Sequence, residues 1–261
     1  MRIDRPPFQP QPWASPLNPL KPPIVPIANP EPAAPSIEEF AQTLASKMGS
    51  KHLPKHTHFV FVLDASGSML SIKSEIEALF RQQMQLVQQA AKDLSTGITT
   101  VSLIVFNHTI SRIYTAASPE QAHALTPATY LPSGGTALLD AIGAAIELTG
   151  DLPAIEGKDT AVFITVLTDG EERDSCFISG PAAATALSYL QKTNALTFAL
   201  VGTERTLSTL GNQLNVPQGL RRGFDPTRLD SVYETASAMA AATSSYSATR
   251  ASGSLSTSNL F

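Results

Sequence analysis

From residue 58 onward, short apolar runs alternate with longer segments whose apolar residues recur every three or four positions. Short runs rich in β-branched and aromatic residues are typical of strands, and the longer spacing is typical of one helix face. The predicted strands cover residues 59–63, 99–106, 109–115, 161–167, 196–201 and 219–223. The predicted helices cover residues 71–94, 137–148, 181–192, 207–214 and 227 onward.

The alternation of strands with helices predicts the fold class. Strands that are joined through helices lie parallel in one sheet, and the helices then cover both of its faces. Residues 109–115 differ, because apolar and polar side chains alternate there as in an edge strand. We therefore expect an α/β domain with a doubly wound, mainly parallel six-stranded sheet, in which residues 109–115 form an antiparallel edge.

The first 35 residues carry twelve of the twenty prolines in the chain. Proline lacks a backbone N–H and fixes φ, so this segment forms neither a regular helix nor a hydrogen-bonded strand. An extended arm is expected. It is either a flexible or semi-rigid tail, or a docking segment in which Phe8 and Trp13 anchor an interface.

A short helix is predicted directly after this arm. Ser36 and Glu39 have the spacing of a capping box, and Phe40, Leu44 and Met48 follow at helical intervals. The predicted organisation is an extended arm at 1–35, a helix and linker at 36–54, the α/β domain at 55–250, and a frayed serine-rich tail at 251–261.

Charge and cysteine content narrow the range of partners and compartments. The formal net charge is −4, and no cluster of lysines and arginines indicates a nucleic-acid or membrane surface. The single cysteine, Cys176, excludes an internal disulfide and fits a reducing compartment. No apolar run approaches the roughly 18 residues of a membrane span. We expect a cytoplasmic protein, or one packaged into a particle from inside a cell.

Three polar stretches lie where predicted strands end or helices begin. The stretch DASGS places Asp64, Ser66 and Ser68 after the first strand, SGGTALLD places Thr136 at a helix start, and TDG places Asp169 after a buried strand. The carboxyl ends of parallel strands share one edge of the sheet, so these side chains should meet there. Five oxygen-bearing side chains without sulfur or imidazole favour Mg²⁺, Mn²⁺ or Ca²⁺ over zinc.

In this order, the three stretches resemble the von Willebrand factor A domain and its metal-ion-dependent adhesion site, over residues 55–250. The resemblance implies that Ser66, Ser68 and Thr136 bind the metal directly or through water. It implies that Asp64 and Asp169 act through water, through hydrogen bonds or as alternate ligands. All five positions are present, so an intact site is expected. The implied function is binding of an Asp or Glu carboxylate on a partner protein at an open position of the metal.

Other functions of the same residues fit the sequence less well. Asp64, Ser66 and Ser68 would also serve as helix caps, although capping alone does not account for Thr136 and Asp169. A phosphatase with an Asp nucleophile needs a second acid two residues later, where this chain has Ser66. Neither a Gly-x-Ser-x-Gly stretch around Ser66 nor a Walker A loop is present. We therefore expect no enzymatic activity.

A structural or assembly component is the remaining alternative. In that case residues 1–35 would dock the protein onto a larger particle, and the metal site would be one contact among several. The two functions are compatible with each other.

Acidic residues and a histidine cluster flank the predicted site elements. Glu171, Glu172 and Asp174 form either a solvated acidic loop or a group that raises cation affinity, selects a basic partner, or supplies an internal ligand through Glu171 or Glu172. Asp140 is expected to serve the helix start or a loop hydrogen bond.

The histidines His52, His56 and His58 have no matching cysteines. They are interpreted as part of an ordinary loop rather than a soft-metal site.

Overall fold

The computed structural model describes residues 35–48, 56–93, 97–152, 160–193, 195–251 and 259–261. The predicted arm at 1–35 therefore lies almost wholly outside the described residues. The strands are β1 (His56–Asp64), β2 (Ile98–Phe106), β3 (Ile110–Ala117), β4 (Thr160–Thr168), β5 (Leu196–Gly202) and β6 (Arg221–Gly223). The helices are α1 (Ile37–Met48), α2 (Lys73–Asp93), α3 (Leu138–Gly150), α4 (Gly180–Gln191), α5 (Glu204–Gln213) and α6 (Leu229–Ala251).

The strands form one six-stranded sheet in the order β3-β2-β1-β4-β5-β6. All neighbouring pairs are parallel except β2 and β3, which are antiparallel. Every residue of β1, β4 and β5 is buried, as expected for parallel strands covered on both faces. The predicted doubly wound sheet and its antiparallel edge strand are confirmed.

Two hydrophobic cores lie on opposite faces of the sheet. Helices α1, α3, α4 and α5 contribute to the first core, where Leu44, Ile142 and Leu187 are buried. Helices α2 and α6 contribute to the second, in which the rings of Phe163 and Tyr246 stack with their centroids 4.7 Å apart. In the described ranges, no helix combines the length and the apolarity needed to cross a membrane.

The two ends of the described chain are both tied to this domain. The predicted capping box is confirmed, since Ser36 N–H donates to Glu39 Oε2 at 3.2 Å and Glu39 N–H donates to Ser36 Oγ at 3.3 Å. At the other end, the backbone N–H groups of Leu260 and Phe261 donate to the Gly219 carbonyl. The expectation of fraying is wrong for these two residues, because Leu260 packs against both cores and Phe261 packs against the second.

The assignment of the histidine cluster to a loop is wrong for two of its members. His56 and His58 belong to β1 and are buried, whereas His52 lies outside the described residues. Both rings contact Thr100 Oγ1 at 2.6 Å, and His58 Nε2 lies 3.0 Å from Ser102 Oγ. Hydroxyl partners on the neighbouring strand satisfy these polar rings and allow them to replace apolar residues.

Burial of His58 predicts how stability depends on pH. Desolvation, followed by the charge of His56, lowers the pKa of His58 from 6.5 to about 3. Between these two pKa values, His58 binds a proton in the unfolded state but not in the folded state. The free energy of unfolding therefore falls as the pH falls from the unfolded pKa towards the folded pKa. We expect His58 to contribute a loss of about 2 kcal/mol between about pH 7.5 and pH 5.

The measurement is urea unfolding across this pH range. His58→Gln should flatten the dependence of the unfolding free energy on pH, whatever its effect on stability at neutral pH. His123→Gln, at an exposed position, is the matched control. Equal slopes for the parent and His58→Gln would contradict the prediction.

Candidate metal centre

Asp64 is the fully buried last residue of β1, and donors hold both of its carboxylate oxygens. Ser66 N–H donates to Oδ1 at 2.6 Å, and the hydroxyl of Thr168 at the end of β4 donates to Oδ2 at 2.5 Å. Burial raises the pKa of Asp64 to about 6, and these hydrogen bonds oppose that rise. These two donors, at or just beyond the ends of the two central strands, therefore fix the orientation of the carboxylate.

The serines of DASGS connect this loop to the third polar stretch. Ser66 Oγ and Ser68 Oγ lie 3.1 Å apart, and Ser68 Oγ donates to Asp169 Oδ1 at 2.6 Å. Burial raises the pKa of Asp169 from its ordinary value, and the hydrogen bond from Ser68 acts in the opposite direction. The ends of β1 and β4 thus bring these three oxygen groups together.

Thr136 reaches the same place through a glycine turn. Gly134 has φ +72°, a conformation that favours glycine, and its carbonyl accepts a hydrogen bond of 3.0 Å from Gly67 N–H in the DASGS loop. The backbone of Thr136 is held on both sides. Its N–H donates to Asp174 Oδ2 at 2.6 Å, and its carbonyl accepts from Arg173 N–H at 3.1 Å.

An open cavity of about 410 Å³, called the site cavity below, is lined by Ser66, Ser68, Thr136 and Asp169, among other residues. Asp64 lies directly beside it. A methyl group placed on Gly170 would lie 3.2 Å from Thr136 Oγ1 and 3.5 Å from Asp64 Oδ2. The structure therefore brings all five sequence-predicted side chains together at the carboxyl edge of the sheet.

The acidic residues after Asp169 are not all solvated, because Glu172 and Asp174 accept backbone N–H groups. Ala137, which precedes α3, makes no side-chain cap, and Glu172 Oε2 instead accepts the N–H of Leu139 at 2.7 Å. Together with Asp174, which holds Thr136 N–H, Glu172 supplies the negative charge that a helix N-terminus favours. Sequence reasoning missed this role because the acids lie more than thirty positions from the helix that they serve.

Asp140 has the structural role that was expected of it. Its carboxylate accepts the backbone N–H groups of Cys176 at 2.8 Å, Phe177 at 3.0 Å and Ile178 at 2.8 Å. This prediction is confirmed. Asp140 thereby holds the loop after Asp169 against the first turn of α3.

Two arginines at the site cavity were not singled out from the sequence. Arg173 and Arg205 both line it, and both form ion pairs with Glu171. Neither arginine belongs to a periodic pattern or a motif. Arg205 reaches this edge only when the assembled sheet places the start of α5 there.

The donor set fits a hard divalent cation. Two carboxylates and three hydroxyls offer oxygen alone, which suits Mg²⁺, Mn²⁺ or Ca²⁺. In the part of the chain that the structure describes, no group of three or more His, Cys, Asp or Glu side chains is placed to hold a metal. A site rich in hydroxyl oxygens is consistent with that result, because serine and threonine do not belong to those residue types.

Comparison with known proteins agrees with the fold. Residues 59–171 match the family model of the von Willebrand factor type A domain, and this range contains all five candidate residues. The match supports the von Willebrand factor type A family. No curated protein sequence matches this chain.

Solved structures resemble the chain at low sequence identity. The pilus adhesin SpaC from Lactobacillus rhamnosus GG is 14% identical, with 71% of this chain and 30% of the adhesin covered and a TM-score of 0.51. The PilB minor pilin from Streptococcus sanguinis is 11% identical, with 72% and 61% covered and a TM-score of 0.48. Proximal thread matrix protein 1 from the mussel byssus, with a zinc-occupied MIDAS motif, is 13% identical, with 72% and 46% covered and a TM-score of 0.47.

The chain thus spans less than two thirds of the length of each of these proteins. At such identities, the likeness to the adhesin shows the fold alone.

The role of Asp174 leads to a stability prediction. Asp174→Ala should lower the free energy of unfolding by about 1 kcal/mol, because Thr136 N–H loses a charged acceptor at the start of α3. Glu171→Ala is the matched control, since that neighbouring carboxylate pairs with exposed arginines and should cost less. Urea unfolding measures both, and equal losses would contradict the assigned role of Asp174.

Proposed function

We propose that this protein is a non-enzymatic module that binds a partner protein through a divalent cation. The observation that carries the proposal is the convergence of Asp64, Ser66, Ser68, Thr136 and Asp169 around one open cavity. The proposed cation is Mg²⁺, with Mn²⁺ or Ca²⁺ as alternatives, and the proposed partner group is an Asp or Glu carboxylate.

The charge of the ligand set explains why a carboxylate would be bound. Ser66, Ser68 and Thr136 would hold the cation through neutral hydroxyls, and a cation so held would supply an open, positively charged position for a partner's carboxylate. Asp64 and Asp169 orient this set through their hydrogen bonds to Ser66 and Ser68. Partial exclusion of water by the cavity walls would strengthen the attraction.

Exposed apolar side chains support a protein as the partner. Leu70, Leu131 and Phe177 are 60%, 64% and 88% exposed, and one of them lies on each of the three loops that carry the site residues. Large apolar side chains at a protein surface are typical of interaction sites when they cluster. The positive charge of a bound cation would attract any anion. The exposed apolar side chains favour an anion that is carried by a protein.

An assembly role through the proline-rich arm is retained as the alternative. It rests on the composition of residues 1–35, of which 1–34 lie outside the described residues.

Metal binding is the first test of the proposal. Titration of the full chain with Mn²⁺, followed by electron paramagnetic resonance of the free ion, should show binding that Thr136→Ala weakens roughly tenfold or more. Ser133→Ala, an exposed serine in the same loop, is the matched control and should bind as the parent does. No Mn²⁺ binding by the parent chain would overturn the proposal.

Partner binding is the second test. Binding of proteins from the native source to the immobilised chain should require Mg²⁺, disappear in EDTA, and weaken in Thr136→Ala and in Phe177→Ser. Phe177 is largely exposed, so its substitution should leave the free energy of unfolding within about 0.5 kcal/mol of the parent. A chain without residues 1–35 should retain this binding. If the deletion abolishes binding and EDTA has no effect on it, the assembly role is favoured instead.

A further inference from the structure

A pair of arginines gives the site cavity a positive side. Arg173 lies in the loop after β4, and Arg205 lies in the first turn of α5. Both line the cavity that also contains Ser66, Thr136 and Asp169. Among the described residues that line the cavity, Arg173 and Arg205 are the basic ones.

Both arginines are held close to the candidate metal centre by backbone contacts of their own segments. Arg173 N–H donates to the carbonyl of Thr136 at 3.1 Å. Beside Arg205, the hydroxyl of Thr206 donates to the carbonyl of Gly170 at 3.1 Å, which ties the start of α5 to the loop of Asp169. The fold therefore places the backbone of both arginines beside the site.

Glu171 lies between the two guanidinium groups. Arg173 Nη2 is 3.8 Å from Glu171 Oε2, and Arg205 Nε forms an ion pair with Oε1. The arginine side chains are 73% and 78% exposed, and an exposed ion pair contributes only about 0–1 kcal/mol. The arginines can therefore exchange Glu171 for another carboxylate at little cost.

Glu171 differs in this respect from its acidic neighbours. Glu172 and Asp174 accept backbone N–H groups at the start of α3 and are fixed by them. The contacts described for Glu171 are with the side chains of Arg173 and Arg205. Glu171 is thus the acid of this loop that is free to leave its position without releasing a helix terminus.

We propose that Arg173 and Arg205 form a second anion-binding position and that the partner segment carries two acidic side chains. One carboxylate binds at the candidate metal centre, and the other takes the place of Glu171 between the arginines. This inference rests on the proposed function, because it places the first carboxylate at the metal centre.

Charge and geometry both favour this arrangement. The planar guanidinium group donates two parallel hydrogen bonds to a carboxylate, which fixes the orientation of the bound acid. The whole chain carries a formal charge of −4, so an acidic segment would otherwise be repelled. A partner with one acidic residue would leave Glu171 where it is, whereas a partner with two would gain an additional contact.

The test uses blocked glycine-rich peptides of equal length that contain either one glutamate or two glutamates at a range of spacings. Binding to the full chain is measured in Mg²⁺ and in EDTA. The variants are Glu171→Gln and the double variant Arg173→Gln with Arg205→Gln. Arg228→Gln is the matched control, since Arg228 pairs with Asp230 at similar exposure away from the cavity. Each variant is also titrated with Mn²⁺ to show that the metal centre is intact.

In Mg²⁺, the best two-glutamate peptide should bind roughly fivefold more tightly than the one-glutamate peptide. The double arginine variant should abolish that preference, Glu171→Gln should increase it, and Arg228→Gln should leave it unchanged. Equal binding of the two peptides, including binding of neither, would overturn the inference, as would a preference that survives loss of both arginines. Failure of the parent to bind Mn²⁺ would instead overturn the proposed function.

Discussion

The two hydrogen bonds that hold the Asp64 carboxylate are the interaction on which the rest of the site depends. A carboxylate that is removed from water is costly unless donors replace its hydration. Here one donor, Ser66 N–H, comes from the loop that follows β1, and the other, the Thr168 hydroxyl, comes from the end of β4. The hydrogen bond from Thr168 therefore joins the ends of the two central strands at the candidate metal centre.

The acidic loop after β4 shows how one segment connects two parts of the site. Helix α3 begins without a side-chain cap of its own. Glu172 accepts the N–H of Leu139 in its first turn, and Asp174 accepts the N–H of Thr136 just before the helix. The same loop begins at Asp169, which accepts a hydrogen bond from Ser68. A change in this loop therefore acts on Thr136 and on Asp169 together, so that folding stability and the shape of the site cavity are coupled.

Sequence reasoning predicted the sheet and the convergence of the five candidate residues, because both follow from local patterns. Apolar runs mark parallel strands, and the carboxyl ends of such strands meet at one edge. It failed for His56 and His58, because polar rings in the sequence suggest a loop. In the structure, Thr100 and Ser102 on the neighbouring strand satisfy these rings, so that both histidines belong to a buried strand. It also missed the partnership of Arg205 with Glu171, because long-range side-chain contacts leave no periodic pattern in a single sequence.

The separation of the site residues along the chain has a consequence for synthesis. Thr168 follows its partner Asp64 by 104 residues, and Asp169 follows Ser68 by 101 residues. A chain that emerges from the ribosome N-terminus first presents DASGS well before β4 exists, and contacts of such long range form more slowly than local helices. Throughout that interval the candidate site is incomplete and the Asp64 carboxylate remains in water. Sheet assembly must therefore precede formation of the candidate metal centre in every newly made molecule.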